Sequence, residues 1–392
     1  MTRKQLTLFG IGLALLGCQK SESIKIAAIV PATGPFEIYG QAVKKGVELA
    51  YEELQADPKL GLKLELSVVD SQGDPATAAG LLEEQFDAGA IAAIGGVMSD
   101  EALEMVAVAD RYNRVLISPS ASNPQLTGIS KNFYRVFPSD AREGTKMGNF
   151  AAKKLEMATV VIVAKSDTYA RGIKEVFQAE FERNGGQVME VIEYPAGADI
   201  SGLIDRVISL DPAGVYLAAF AEDIGLEINE LRNKGYRGRI LTTSAFAAPA
   251  AIEQTGESSE GVFLTQAAFD AISEDPKVQE FVKAFEGKYG LSPDLYAAHG
   301  YDAMMVLIAG IQAGELVPTE LWQKVRGLRD FTGVTGTIQF DERGDVQKYP
   351  RVYVVEDGNL KDYEKDIEER RRQLLERLRR LEEAQRRRAG GG

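Results

Sequence analysis

Ile24-Lys-Ile-Ala-Ala-Ile-Val30, running into Thr33-Gly34-Pro35, is the stretch on which the fold turns. It is short, almost wholly apolar, and stopped by Pro and Gly, the pattern of a strand buried on both faces in a parallel sheet. The residues after it change period. Tyr39–Leu54 is amphipathic at helical spacing, and Leu62–Val69 returns to a strand. The same alternation continues outward. Ile91–Ile94, Val115–Ile117, Thr159–Val163, Val188–Glu193, Val215–Ala219 and Arg239–Thr242 read as strands. Ala76–Ala88, Asp100–Tyr112, Glu143–Leu155, Ala170–Asn184 and Asp223–Asn233 read as helices between them. Strand–helix alternation of this kind implies α/β architecture with helices on both faces of parallel sheets. It falls into two series, one before and one after about Ser139.

The last third departs from tandem order. Pro276–Tyr289, Asp294–Ala313 and Thr319–Gly327 are helical, and Thr337–Phe340 and Tyr349–Val355 are strands. They are too few for a third domain, so they complete the first two, and the chain must cross between lobes several times. The expected division is a signal over 1–18, a first lobe from 24–138 with 268–345, a second from 139–267 with 346–362, and a charged tail over 363–392. From Asp362 to Arg388 there is neither Gly nor Pro. Ile367, Leu374 and Leu381 fall at seven-residue spacing there, with Leu378 and Arg371 at the intermediate positions. A weak heptad of this length reads as a solvated single helix and the protein as a monomer.

The single cysteine, Cys18, ends a short apolar run opened by Arg3 and Lys4. Leu6–Leu16 is too short to span a bilayer, which takes about 20 apolar residues, and reads as a secretory signal. Leu15-Leu16-Gly17-Cys18 resembles a bacterial lipobox, which implies a diacylated Cys18 as the mature N-terminus and a lipid-anchored protein outside the cytoplasm. With Cys18 so committed, no disulfide framework is available. His299 is the only histidine, which leaves poor material for zinc or for a Cys/His nucleophile. The signal and the tail carry twelve basic and seven acidic residues; the body holds 33 basic against 51 acidic. Such a surface repels nucleic acid and anionic headgroups.

Four stretches taken together resemble the extracytoplasmic amino-acid-binding proteins of the leucine/isoleucine/valine-binding type, within the type I periplasmic-binding-protein fold. They are Ile24–Val30 with Thr33-Gly34-Pro35, Ile117-Ser-Pro-Ser-Ala-Ser-Asn-Pro124, Tyr296-Ala-Ala-His-Gly-Tyr-Asp-Ala303, and Gly333-Val-Thr-Gly-Thr-Ile-Gln-Phe-Asp341 with Gly344-Asp345. The likeness covers about Ile24 to Asp362. It implies two Rossmann-like lobes on a multi-crossing hinge that closes on a small ligand. The partner it implies is an ABC permease, with no cofactor.

Ser99 opens the helix near Asp100, where unpaired N–H groups suit a carboxylate. Its alternative role is a plain N-cap. By resemblance, Ser120 would offer its carbonyl to an ammonium, and Ser122 its amide and hydroxyl to a carboxylate. Tyr169 and Phe220 of the second lobe would cap the ligand, Tyr39 would line the pocket, and Tyr296 would close its far side. In branched-chain binders a second-lobe glutamate neutralises the ammonium, and Ser244 stands at that position here. Glu222 or Asp223 could substitute, though both also read as exposed helix-start acids; Asp302 reads as structural.

The implied function is an exported solute-binding lipoprotein for a small carboxylate-bearing ligand of the branched-chain amino-acid type. An alternative keeps the fold as an outer-membrane protein-binding module resembling activators of cell-wall synthases, since Gln19 follows Cys18 where Asp would retain the protein at the inner membrane. An enzyme is disfavoured. Glu83-Glu84 and Glu382-Glu383 are adjacent and so point to different helix azimuths, and neither a P-loop nor a Gly-x-Ser-x-Gly elbow is present.

Overall fold

A computed structural model describes residues 23–267 and 269–389, with side chains up to residue 380. Cys18 and the expected signal lie outside the described residues.

The opening strand, β1 (Ile24–Val30), pairs in parallel with β2 (Leu64–Asp70) on one side and β3 (Ala92–Gly95) on the other. β4 (Val115–Ser118) and β5 (Phe133–Arg135) extend the sheet to the order β2-β1-β3-β4-β5, all parallel. Helices α1 (Glu37–Ala56), α2 (Pro75–Asp87) and α3 (Ser99–Tyr112) make the crossovers. Because β1 lies between β2 and β3, the strand order reverses at β1, leaving a crevice beyond the carboxyl ends of β1 and β3.

The chain then crosses to a second sheet through α4 (Asp140–Asn149), capped by the Ser139 hydroxyl, which accepts from the Ala141 amide. This helix starts three residues before the expected Glu143 and gives way to a π-turn at Phe150–Lys154. β6 (Thr159–Lys165), β7 (Gln187–Tyr194), β8 (Gly214–Ala218), β9 (Arg239–Thr242) and β10 (Phe263–Gln266) follow. Between them run α5 (Thr168–Arg183), α6 (Ile200–Leu210), α7 (Ala221–Asn233) and α8 (Pro249–Thr255). β6 sits between β7 and β8, so this sheet has its own reversal point at β6.

The late helices return to the first lobe. α9 (Pro276–Tyr289) and α10 (Leu295–Gln312) pack on α1, and α11 (Leu321–Gly327) packs on α10. Gly46 of α1 and Gly300 of α10 make that approach possible. A Cβ on Gly46 would lie 1.9 Å from the Ala297 carbonyl oxygen, and one on Gly300 would lie 2.5 Å from that of Val43. A hairpin of β11 (Phe331–Gly333) and β12 (Gly336–Ile338), where a single strand over Thr337–Phe340 was expected, stands apart from both main sheets. Asp302 of α10 holds it, accepting from the Val334 and Thr335 amides at 2.8 and 2.9 Å. A third crossing leads to β13 (Arg351–Glu356) and β14 (Asn359–Asp362), which pair antiparallel on the edge of the second sheet beside β10. The second sheet is therefore mixed rather than wholly parallel. α12 (Tyr363–Ala389) leaves from that edge.

Candidate functional site

The two reversal points face each other, and a small cavity lies between them. One wall is built by the segments leaving β3 and β4. Gly96 makes the sharp turn after β3 with φ +66°, and a Cβ there would lie 2.7 Å from the Ala102 backbone. The turn delivers Ser99 as the first residue of α3, and Met98 is the N-cap. The carboxyl group of Glu101 accepts from the Met98 amide at 3.2 Å. Ser99 is thus not the cap of its helix, and its hydroxyl faces the cavity, accepting from the Asn123 amide at 3.3 Å. Ser120 and Ser122, beyond β4, complete this wall. The Ser120 hydroxyl donates to the Val97 carbonyl at 2.7 Å. The Ser122 carbonyl accepts from the Asp140 amide at 2.8 Å.

The opposite wall comes from the segments leaving β6, β8 and β9, which contribute Tyr169, Phe220, Ser244 and Ala245. Tyr169 and Phe220 stack with centroids 5.0 Å apart. Tyr39 and Tyr296, from α1 and α10, meet edge-on at 4.9 Å. All four aromatic positions expected to surround a ligand therefore converge here.

The lobes touch across the cavity. The buried Tyr39 hydroxyl donates to the Ala245 carbonyl at 2.9 Å and accepts from the Ala221 amide at 2.8 Å. The Tyr296 hydroxyl donates to the Ser244 carbonyl at 3.0 Å, and the Asn123 side-chain amide donates to the Thr168 carbonyl at 2.6 Å. This is a closed arrangement.

The charge behind the cavity is not where the sequence suggested. Glu222 and Asp223 lie in an outer groove rather than in the inner cavity: Glu222 is exposed, and Asp223 is paired with the Lys165 ammonium at 2.5 Å. Ser244 lines the cavity, but its amide and hydroxyl both donate to the Glu143 carboxylate, at 2.7 and 2.9 Å. The Thr265 hydroxyl adds a third bond to Glu143 at 3.0 Å. Burial pushes the Glu143 carboxyl up to about 7, against the pull of these donors. One turn before it, Asp140 is fully buried, with no hydrogen bond closed on either carboxyl oxygen. Burial, and then the charge of Glu143, hold its carboxyl well above the usual range; the nearby Ser122 hydroxyl and Arg135 oppose them. The same two acids also raise the Tyr169 and Tyr296 hydroxyls, after burial itself.

Sequence reasoning missed Asp140 and Glu143 because the helix was begun at Glu143. A signal was available: residues 140, 143, 147, 150 and 151 share one helical face, and Met147, Phe150 and Ala151 make that face apolar. Two acids in line with a core stripe are buried acids.

Two lobes with facing reversal points, three chain crossings and a small polar cavity between them define a hinged binding protein. Residues 23–359 match the family described as periplasmic binding protein. The leucine-, isoleucine-, valine-, threonine-, and alanine-binding protein of Pseudomonas aeruginosa is 26% identical over 333 residues, 84% of this chain and 88% of that protein. The leucine binding protein LivK of Thermotoga maritima superposes with a TM-score of 0.81 at 31% identity, covering 86% of this chain and 97% of that one. An ABC transporter substrate-binding protein of Desulfitobacterium hafniense in complex with Leu gives a TM-score of 0.75 at 25% identity, over 87% and 99%. The chain belongs to the periplasmic binding protein family. It is a binding protein and not an enzyme.

Proposed function

We propose that this protein captures a small α-amino acid of the branched-chain type outside the cytoplasm and presents it, closed, to an ABC importer. Lipid on Cys18 would tether it. Closure brings the lobe of 24–138 with 268–345 onto the lobe of 139–267 with 346–362. Ser99 and Ser122 receive the carboxylate with hydroxyls and the amides at the α3 start, and Ser120 offers its carbonyl to the ammonium. Tyr39, Tyr169, Phe220 and Tyr296 enclose the side chain. The Asp140–Glu143 pair supplies the charge opposite the ammonium, a role for which Ser244, Glu222 and Asp223 are unsuited where they stand.

The observation that carries this reading is the pairing of the serine hydroxyls with two buried carboxyls, Asp140 behind Ser122 and Glu143 behind Ser244. An ionised buried carboxyl is costly without a partner, and an ammonium in the cavity is that partner. The protein-binding alternative has no use for an enclosed polar cavity. A thermal-shift panel of the standard amino acids, 4-methylpentanoate and leucinamide tests the reading. At about 100 times its dissociation constant a ligand adds about 2.7 kcal/mol. Leucine or a near relative is expected to stabilise, and 4-methylpentanoate, which lacks the amine, is not. Equal stabilisation by the two would remove the acid pair from the mechanism, and no shift with any amino acid would overturn the assignment. Metabolic labelling with palmitate checks the lipid on Cys18.

A further inference from the structure

The tail helix lies outside everything the binding function uses. α12 has 27 residues, about 40 Å at about 1.5 Å per residue. Its root is fixed. Asp362 accepts from the Glu364 and Lys365 amides at 3.1 and 3.0 Å, capping the helix. The Tyr363 ring packs edge-on against Phe150 and Phe263, both at 5.3 Å. Lys146 pairs with Glu364 at 2.7 Å. From Ile367 to Arg380 every ion pair among the described residues stays within the helix. Yet Ile367, Leu374, Leu375 and Leu378 are 45%, 58%, 51% and 47% exposed. They are four of the eleven large apolar side chains so exposed among the described residues, gathered on one helix.

Their spacing is that of a seam. With Ile367, Leu374 and Leu381 at d, the a positions are Arg371, Leu378 and Gln385. The flanking g positions are then Arg370 and Arg377, and the e positions Glu368, Leu375 and Glu382. The signs decide the orientation. In a parallel pair each g faces the e of the next heptad in the other helix, so Arg377 meets Glu382 and the Arg370 stem covers Leu375. In an antiparallel pair, g faces g and e faces e, which sets arginine against arginine and glutamate against glutamate. The apolar stripe is also only one seam wide, narrower than the face of a helix packed into a globular core.

We propose that α12 pairs with α12 of a second copy of this chain as a short parallel two-stranded coiled coil, joining two receptors by their tails. This departs from the expected monomer and does not rest on the ligand reading. Arg371 and Gln385 at a cost stability but fix register, as polar residues at that position do. The family match ends at residue 359, at the edge of the second sheet. The tail is therefore an addition to a complete fold, and perturbing it leaves the lobes intact.

Sedimentation velocity of the mature chain over the micromolar range, with a Leu374→Glu/Leu378→Glu variant beside it, tests the proposal. The expected result is a mass that rises to two chains with concentration, and a variant that stays at one chain with an unchanged melting temperature of the lobes. Orientation is read from Ile367→Cys in a Cys18→Ser background: parallel in-register helices place 367 beside 367 and cross-link on oxidation, whereas an antiparallel pair centred on Leu374 places 367 beside 381 and does not. A single-chain mass throughout would overturn the proposal. So would a dimer indifferent to the double substitution, a trimer, a failure of Ile367→Cys to cross-link, or recruitment of single chains to phosphatidylglycerol vesicles through the tail.

Discussion

Tyr39→Phe isolates the contact that holds the lobes shut. The ring stays, so its packing on Tyr296 and Phe220, at 4.9 and 5.9 Å, is retained. Only the hydroxyl is lost, and with it the bonds to Ala245 and Ala221 at 2.9 and 2.8 Å. Both partners meet water when the lobes separate, so the substitution acts on the closed state alone. A buried neutral hydrogen bond contributes about 0.5–1.5 kcal/mol net, and two together about 1–3 kcal/mol. That energy corresponds to about 5- to 150-fold on the closing equilibrium. A ligand that binds only the closed form loses affinity by the same factor once the closed fraction is small. Calorimetric titration of both proteins with the amino acid selected by the thermal-shift panel measures it directly. Affinity unchanged within twofold would refute the reasoning, because the bonds would then be present equally in the open state.

Ser99→Ala/Ser122→Ala should weaken amino-acid binding at least tenfold in the same titration while leaving the melting temperature of the ligand-free protein nearly unchanged; equal affinity would misplace the carboxylate site. Gly300→Ala should destabilise the first lobe by about 1–3 kcal/mol, read from the urea midpoint, since the added methyl meets the Val43 backbone. The pH response has opposite signs for folding and for binding. Burial raises the Glu143 carboxyl to about 7 in the folded protein, from 4.5 for the free side chain. The folded state therefore keeps a proton that the unfolded state releases, and stability falls as pH rises through this window, by about 3 kcal/mol for that group. Amino-acid affinity should instead rise over the same range as the acid pair ionises, and Glu143→Gln should flatten both trends in thermal melts and titrations from pH 5 to 8.

The strands most visible in the sequence are those buried on both faces, because continuous apolar runs such as Ile24–Val30 and Val215–Ala218 carry their own signal. β5, β10 and β14 escaped it. Phe133-Tyr134-Arg135 has three residues and ends in an arginine that is fully buried by pairing with Asp345 at 2.7 Å, a partner 210 positions away. β14 is an edge strand of mixed polarity, defined by pairing with β13 rather than by its own composition. α6 and α8, too, went unread among the second-lobe connections. The cavity-lining serines, Tyr169 and Phe220 follow strand ends, where parallel sheets gather ligands, whereas Tyr39 and Tyr296 lie on α1 and α10 and were named through the family resemblance. The counter-charge was not legible from strand ends. Asp140 and Glu143 do not line the cavity but stand behind it, bonded to Ser122 and Ser244, and only the packing of α4 puts them there.

That indirect placement explains why closure and charge are coupled. Asp140 and Glu143 begin the first helix after the first crossing, so the acids sit at the hinge itself. The Asp140 amide is held by Ser122 of the first lobe, while the Glu143 carboxylate is held by Ser244 and Thr265 of the second. Two carboxyls one helical turn apart in a dry site cannot both ionise cheaply: burial raises both, and the charge of Glu143 raises Asp140 further. On the proposed reading, an amino acid entering with its ammonium toward this pair would supply the opposite charge just where the lobes meet. A carboxylate without the amine would satisfy the serine wall and leave the repulsion in place. On the proposed reading, selection for an α-amino acid would come from charge stored at the hinge, rather than from a glutamate reaching directly into the cavity.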